Sequence, residues 1–199
     1  MSIQTNPKIE TWFPKLIYIA DNVCIDIVDK LESKIKQSDH KKVRTKNFNV
    51  DSTHLTSRSI HKNKTFFPLV TEIEHHSKIF LECMGYEPQY TSNCRIENMW
   101  YNISDKDDFL FPHTHPGCIL SGAFYVKTVK ENEIIFYDDL TNPYEPPTAV
   151  TNLSMTTCKY SCIPGRLLLF RSNFLHATPK QLEEGEKIVI SFNINNITH

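Results

Sequence analysis

From residue 90 onward the chain is a series of short β-prone stretches cut by turn signals. Residues 90–103, 118–127, 133–137, 155–163, 166–170 and 188–194 are rich in β-branched and aromatic side chains. Ser104-Asp105, Pro112, Asn142-Pro143, Pro146-Pro147, Pro164-Gly165 and Glu184-Gly185 separate them. Strands at this spacing, with no helical period between them, predict a sandwich or barrel. The helical stretches come before the strands and do not alternate with them, which argues against a doubly wound parallel sheet.

The first half reads differently. Residues 11–19 are β-prone, with Pro14 marking an edge or bulge. Ile25, Ile27, Val28, Leu31 and Ile35 recur at helical spacing over 24–37, with Asp21 or Asn22 as the cap. A second helix is expected over 68–84, carrying Leu69, Ile73, Ile79, Phe80 and Met84 and stopping at Gly85. His75 and His76 lie on it about 100° apart, so they do not face one metal and read as surface residues. Residues 38–65 are polar, with basic runs at His40-Lys41-Lys42-Val43-Arg44 and His61-Lys62-Asn63-Lys64, and read as a solvated loop.

Composition removes several function classes. At 199 residues the chain can bury a real core, and 40% hydrophobic with 23% charged is ordinary for a globular protein. A net charge of −1 gives no general electrostatic case for nucleic acid. No apolar run is long enough to span a bilayer. The first residues lack the basic and apolar regions of a secretory signal, so a cytoplasmic location is expected. Cys24, Cys83, Cys94, Cys118, Cys158 and Cys162 are accordingly expected to be reduced thiols. Cys158 and Cys162 have no second close pair to complete a zinc site, and they read as small buried residues on one strand.

Three histidines carry the chemistry. His113 and His115 stand in Phe-Pro-His-Thr-His-Pro, and His176 in Phe-Leu-His. On a strand, positions i and i+2 share a face, so His113 and His115 are expected to point together, with Ser121, Ala123 and Tyr125 continuing that face. A later strand then brings His176 to the same point. Imidazole suits iron, zinc, copper and nickel, and three ligands on one face of an octahedron leave positions open for a co-substrate and dioxygen. Lys187 is opposite in parity to Ile188, Ile190 and Phe192, so it faces inward. A buried ammonium is costly without an anion, and a bound dicarboxylate would supply one.

The residues that carry these readings also carry a resemblance. The stretches Ile96-Glu97-Asn98-Met99-Trp100-Tyr101-Asn102, 113–126, Pro164-Gly165-Arg166-Leu167-Leu168-Leu169-Phe170 and 174–193 resemble the 2-oxoglutarate/Fe(II)-dependent oxygenases of bacteria and tailed phages, related to the prolyl 4-hydroxylase group. The likeness is strong over about 92–195 and fainter at Trp12-Phe13-Pro14. It implies a mainly β chain with N-terminal helices: a double-stranded β-helix (jelly-roll) core with helices packed on one sheet. On that reading residues 1–199 form a single domain, with 1–90 as helical support and first strand and 91–199 as the core.

The resemblance further implies Fe(II) at His113, His115 and His176, with 2-oxoglutarate and dioxygen as co-substrates. Lys187 would pair with the distal carboxylate, and succinate and carbon dioxide would leave. Tyr125 either donates a hydrogen bond to 2-oxoglutarate or fills the core. Asn98 and Asn102 share the parity of Trp100, and Ser191 and Asn193 that of Lys187. Asp138-Asp139 reads as a structural turn. The family implies a bacterial or phage-infected cell, and the prolyl-hydroxylase likeness tilts the unknown substrate towards a peptide or protein. Loops at 38–65 and 139–157 would read it, and the N-terminal helices offer a surface for a homodimer.

Two positions depart from the wider superfamily. His115 stands where a carboxylate ligand is usual, which leaves the site one negative charge short. Lys187 replaces the commoner arginine, keeping the charge without the bidentate fork. Reading His115-Pro116-Gly117 as a shifted, halogenase-like site leaves His113 unexplained. The competing readings are a three-histidine, cupin-type metal dioxygenase without 2-oxoglutarate, and a non-catalytic metal-binding jelly roll.

Overall fold

A computed structural model describes residues 8–138, 148–149, 151 and 154–197. In chain order the elements begin with strand β1 (Ile17–Ala20), helix α1 (Val28–Lys36), strands β2 (Phe48–Asn49) and β3 (Asp51–Ser52), and helices α2 (Phe67–Cys83) and α3 (Pro88–Thr91). Strands β4 (Cys94–Ser104), β5 (Phe109–His113), β6 (Leu120–Lys127) and β7 (Glu133–Tyr137) follow. Strands β8 (Thr157–Ser161), β9 (Leu167–Arg171), β10 (His176–Thr178) and β11 (Lys187–Asn196) complete them. Two antiparallel sheets face each other. The larger runs β1-β9-β6-β11-β4-β3 and the smaller β2-β5-β10-β7-β8. This is the expected jelly roll.

The larger sheet is buried on both faces, so β6 and β11 carry apolar residues in near-continuous runs. Their even-numbered residues, Leu120, Phe124, Val126, Ile188, Ile190, Phe192 and Ile194, meet Leu31, Ile35, Leu69, Ile73 and Leu81 of the two helices. The odd-numbered face looks the other way. There Ala123 and Tyr125 join Ile134, Phe136, Leu168 and Phe170 between the sheets. The period-2 alternation of one strand thus feeds a structural core and a cavity wall.

Several expectations shift at element ends. The strand expected over 11–19 is confined to β1. Trp12 and Phe13 are exposed, and Phe13 has φ +57°. The first helix opens with a 3-10 turn at Ile25–Ile27 and has no side-chain cap; Asp21 instead accepts two hydrogen bonds from Arg166. Residues 90–93 belong to α3 and its turn, so the long strand begins only at Cys94. The segment 38–65 is not simply loop, since it holds β2, β3 and two 3-10 turns. The second helix matches closely, with Gly85 at φ +88° where a left-handed residue ends a helix cheaply.

His75 is exposed as expected. His76 is half-buried, its Nδ1 2.8 Å from the Tyr18 hydroxyl. The six cysteines are free thiols; Cys162 is buried and Cys158 packs beside the same core, as small apolar residues would. The turns at Asn142-Pro143 and Pro146-Pro147, Asp139, and much of the loop 139–157 lie outside the described residues. Among the described residues, no helix is long and apolar enough to cross a membrane.

Candidate metal centre

Pro112 does not make the turn its identity suggests; it lies inside β5. Thr178 pairs with Leu110 and His176 with His113, so β5 advances three residues while β10 advances two. This is a bulge, where a proline with no N–H is tolerated. The short β2 pairs only with Phe109 and Leu110, so no ladder partner is lost on that side. The bulge re-aims the end of β5 and sets His113 directly opposite His176.

His115 arrives by another route. The expectation that both residues of His-x-His sit on one strand with Tyr125 fails, because β5 ends at His113 and Tyr125 belongs to β6 in the other sheet. The His115 N–H donates to the carbonyl of Ser172, just past β9, at 2.8 Å. That bond ties the connecting loop to the larger sheet. The triad is therefore assembled across both sheets.

The three imidazoles converge, with one ring nitrogen from each within 4.8 Å of the others. His113 and His176 are the nearest rings, with centroids 4.4 Å apart. The Nδ1 of His113 lies 2.7 Å from the carbonyl of Phe111, and that of His176 2.8 Å from the carbonyl of Phe174. Each carbonyl requires a proton on Nδ1, which leaves Nε2 as a lone-pair donor. Burial pushes all three rings towards the neutral form: His176 down to about 3, His115 to about 4, and His113 below its ordinary value. Their mutual repulsion adds to this at His176 and His115. Neutral imidazoles held this way are ready metal ligands.

The surroundings fix the rings. His176 packs against Phe170 and Phe136, and His115 stacks on Trp100 with an interplanar angle of 22°. Trp100 is itself covered by His54, which sequence reading did not single out. Beside His115, Asn193 Oδ1 accepts from Ser121, and its Nδ2 donates to Asn98 Oδ1. Asn98, Ser121 and Asn193 thus form one polar network. Asn102 donates to the Ser191 hydroxyl at 3.2 Å.

The triad opens into a cavity of about 530 Å³, whose walls include Trp100, Asn102, Tyr125, Val189, Ser191 and Lys187. Tyr125 is fully buried, and burial together with the neighbouring Cys162 keeps its phenol neutral. Lys187 is 2% exposed. Its Nζ donates to Asn132 Oδ1 at 2.8 Å, and among the described residues no carboxylate forms an ion pair with it. Burial pulls it down to about 8. Every residue expected at the site lines this cavity or its polar wall.

The donor set fits an iron site: three neutral nitrogens on one side and open space on the other. The buried ammonium fits an anionic co-substrate, because among the described residues no carboxylate is paired with it and Asp108 acts on it only through space.

Comparison with known proteins agrees with this geometry. Residues 98–193 match a family model described as "Putative 2OG-Fe(II) oxygenase". No curated protein matches in sequence. Among solved structures, a prolyl-4-hydroxylase from Pseudomonas putida superposes with TM-score 0.63 and 8% identity, over 92% of this chain and 94% of that one. HygX from Streptomyces hygroscopicus, with nickel and 2-oxoglutarate bound, gives 0.63 and 12%, over 91% and 83%. A viral collagen prolyl hydroxylase from Paramecium bursaria Chlorella virus-1, in a 2-oxoglutarate complex, gives 0.57 and 15%, over 91% and 96%. These likenesses establish the shared fold. The family match spans most of β4 to β11, just under half of the chain and the stretch that carries the three histidines and Lys187, and over it the chain is similar to the 2OG-Fe(II) oxygenases, oxidoreductases that use Fe(II) and 2-oxoglutarate.

Proposed function

We propose that the protein is a dioxygenase that hydroxylates a peptide or protein side chain, with His113, His115 and His176 holding Fe(II) and Lys187 binding the distal carboxylate of 2-oxoglutarate. One observation carries the reading. Three lone-pair nitrogens converge at a cavity that also contains a buried ammonium with no ion-pair partner among the described residues. A three-histidine site with no anionic co-substrate has no use for that ammonium, which disfavours the cupin-type reading.

When bound, Fe(II) and 2-oxoglutarate supply activation of dioxygen, with oxidative loss of carbon dioxide from the co-substrate and formation of succinate. The chain's own residues bind, orient and exclude water. The carbonyls of Phe111 and Phe174 hold protons on the outer nitrogens of His113 and His176, so Nε2 stays available. Phe136, Phe170 and Trp100 restrict the rings and keep water from their flanks. Lys187 contributes charge and direction. Ser191, Asn102 and Tyr125 offer neutral hydrogen-bonding groups along the same wall. The peptide preference is supported by the prolyl hydroxylases among the fold relatives.

The test is an anaerobic titration of Fe(II)-loaded protein with 2-oxoglutarate, following the visible metal-to-ligand charge-transfer band. The wild type is expected to develop the band. Lys187→Ala is expected to need about tenfold more co-substrate, the scale of one charged hydrogen bond. A wild type that binds iron and shows no band refutes the 2-oxoglutarate reading. Peptides are then screened by succinate release and by gain of one oxygen in mass; stimulation by non-peptide metabolites alone refutes the substrate class.

A further inference from the structure

Lys187 is held by a neutral side chain, and that choice has consequences for the ligand. Asn132 lies in the turn between β6 and β7 and is 6% exposed. It stands between two spaces: Lys187 on the cavity side, and an outer depression of about 750 Å³ that it lines together with Cys162. Its Oδ1 accepts from Lys187 Nζ at 2.8 Å and from the Cys162 thiol at 3.4 Å. Its backbone carbonyl accepts from the Cys162 N–H at 2.8 Å.

The orientation of the Asn132 amide is set from behind by Gln181, itself buried. Gln181 Nε2 donates to the carbonyls of Glu183 and Gly185 at 3.1 and 2.6 Å. Its Oε1 must therefore face Asn132, and it accepts from Asn132 Nδ2 at 3.5 Å. The Gln181 backbone is fixed in turn, donating to the Asp108 carbonyl and accepting from the Asp107 N–H. Only the oxygen of Asn132 is left to face the lysine. No hydrogen bond from Asn132 back to the Gln181 backbone is accepted by a charged side chain; the Asp108 carboxylate acts on Lys187 only through space and is itself paired with Arg44. The ammonium is held in place without being neutralised.

We propose that Asn132 is a positioning residue for co-substrate binding: oriented by Gln181, it fixes the Lys187 ammonium with a neutral oxygen and so leaves the full positive charge for a dicarboxylate. This rests on the reading that Lys187 receives the distal carboxylate. A carboxylate at position 132 would satisfy the lysine internally and cancel the attraction. An asparagine that only closed the β6–β7 turn would show no such selectivity.

The test compares two ligands on Ni(II)-loaded protein by calorimetry. 2-Oxoglutarate carries the distal carboxylate; 2-oxobutyrate presents the same 2-oxo acid head without it. Wild type, Asn132→Asp, Asn132→Ala and Lys187→Ala are measured with both. Asn132→Asp is expected to lose about tenfold or more in 2-oxoglutarate affinity, the scale of a charged hydrogen bond. It should leave 2-oxobutyrate and nickel affinity unchanged. Asn132→Ala is expected to lose about threefold for 2-oxoglutarate only, as for a neutral hydrogen bond.

An Asn132→Asp protein that keeps the wild-type preference for 2-oxoglutarate overturns the proposal. So does an equal loss for both ligands, which marks a purely structural residue. If Asn132→Asp does not fold, Asn132→Ala decides by the same ratio, and an unchanged ratio overturns the proposal. If Lys187→Ala leaves the preference intact, the reading of Lys187 fails and this inference falls with it. Loss of preference in Lys187→Ala but in neither Asn132 variant overturns only the role of Asn132.

Discussion

At the residue scale the site depends on where charge is allowed. The imidazoles are stripped of charge by burial, while one lysine is kept as a buried cation. In the folded chain Lys187 is pulled from 10.5 to about 8, chiefly by burial, with Cys162 and Asp108 opposing. Between those two pH values the unfolded chain binds more protons than the folded one, so ligand-free stability rises with pH in that window; below it the cost of the buried charge is present in full. On the proposed reading of Lys187, dicarboxylate binding has the opposite requirement, because it needs the ammonium. We predict that 2-oxoglutarate affinity falls about tenfold between pH 7 and pH 9, following deprotonation of a group near 8. Calorimetry in buffers of different ionisation enthalpy should show proton uptake above pH 8. Lys187→Ala should be flat, and a flat wild-type profile would remove Lys187 from the ligand's partners. His113, His115 and His176 were legible in the sequence as residue types at ligand spacing, and Lys187 through its parity. Asn132 was not, since an asparagine in a turn is the commonest structural asparagine.

At the scale of elements, two features fix the geometry: the β5 bulge at Pro112 and the close contact at Gly122. A Cβ on Gly122 would sit 2.6 Å from the Leu168 carbonyl and 2.3 Å from the Phe192 ring. The ring could turn, but the backbone carbonyl on the neighbouring strand cannot move without displacing β9. Gly122→Ala is therefore expected to cost about 1–3 kcal/mol by overpacking. The measurement is the Tm of apo-protein, with a fall of several degrees expected; an unchanged Tm would mean the sheet yields more easily than its hydrogen bonding suggests. Strand existence was readable from β-branched runs and turn residues, and β7 falls on residues 133–137 as expected. The shorter strands that deliver the ligands, β5 and β10, were not. Three to five residues leave little periodic signal, and Pro112 reads as a breaker until a bulge accommodates it.

At the scale of the whole molecule, the helices hold the larger sheet from behind so that its other face can remain a cavity. Ile73 is fully buried between α2 and that sheet. Ile73→Ala should cost about 2–5 kcal/mol in denaturant unfolding. Below the unfolding transition it should leave Fe(II) affinity within about twofold, since sites this far separated usually act additively. A large loss of metal binding in the folded variant would show that the support layer tunes the site. The sequence by itself determined the fold class, the apolar faces of both helices, the alternation that sends Ile188, Ile190 and Phe192 one way and Lys187 the other, and the three histidines that the structure brings together. These follow from local periodicity and from the chemistry of individual side chains. Only the tertiary structure decided that His113 and His115 belong to different structural contexts, that His54 and Trp100 wall the site, and that Asn132 and Gln181 stand behind Lys187. Those relations depend on the register between strands distant in the chain, and register is set by the closing of two sheets around a shared core, which no local window of sequence contains.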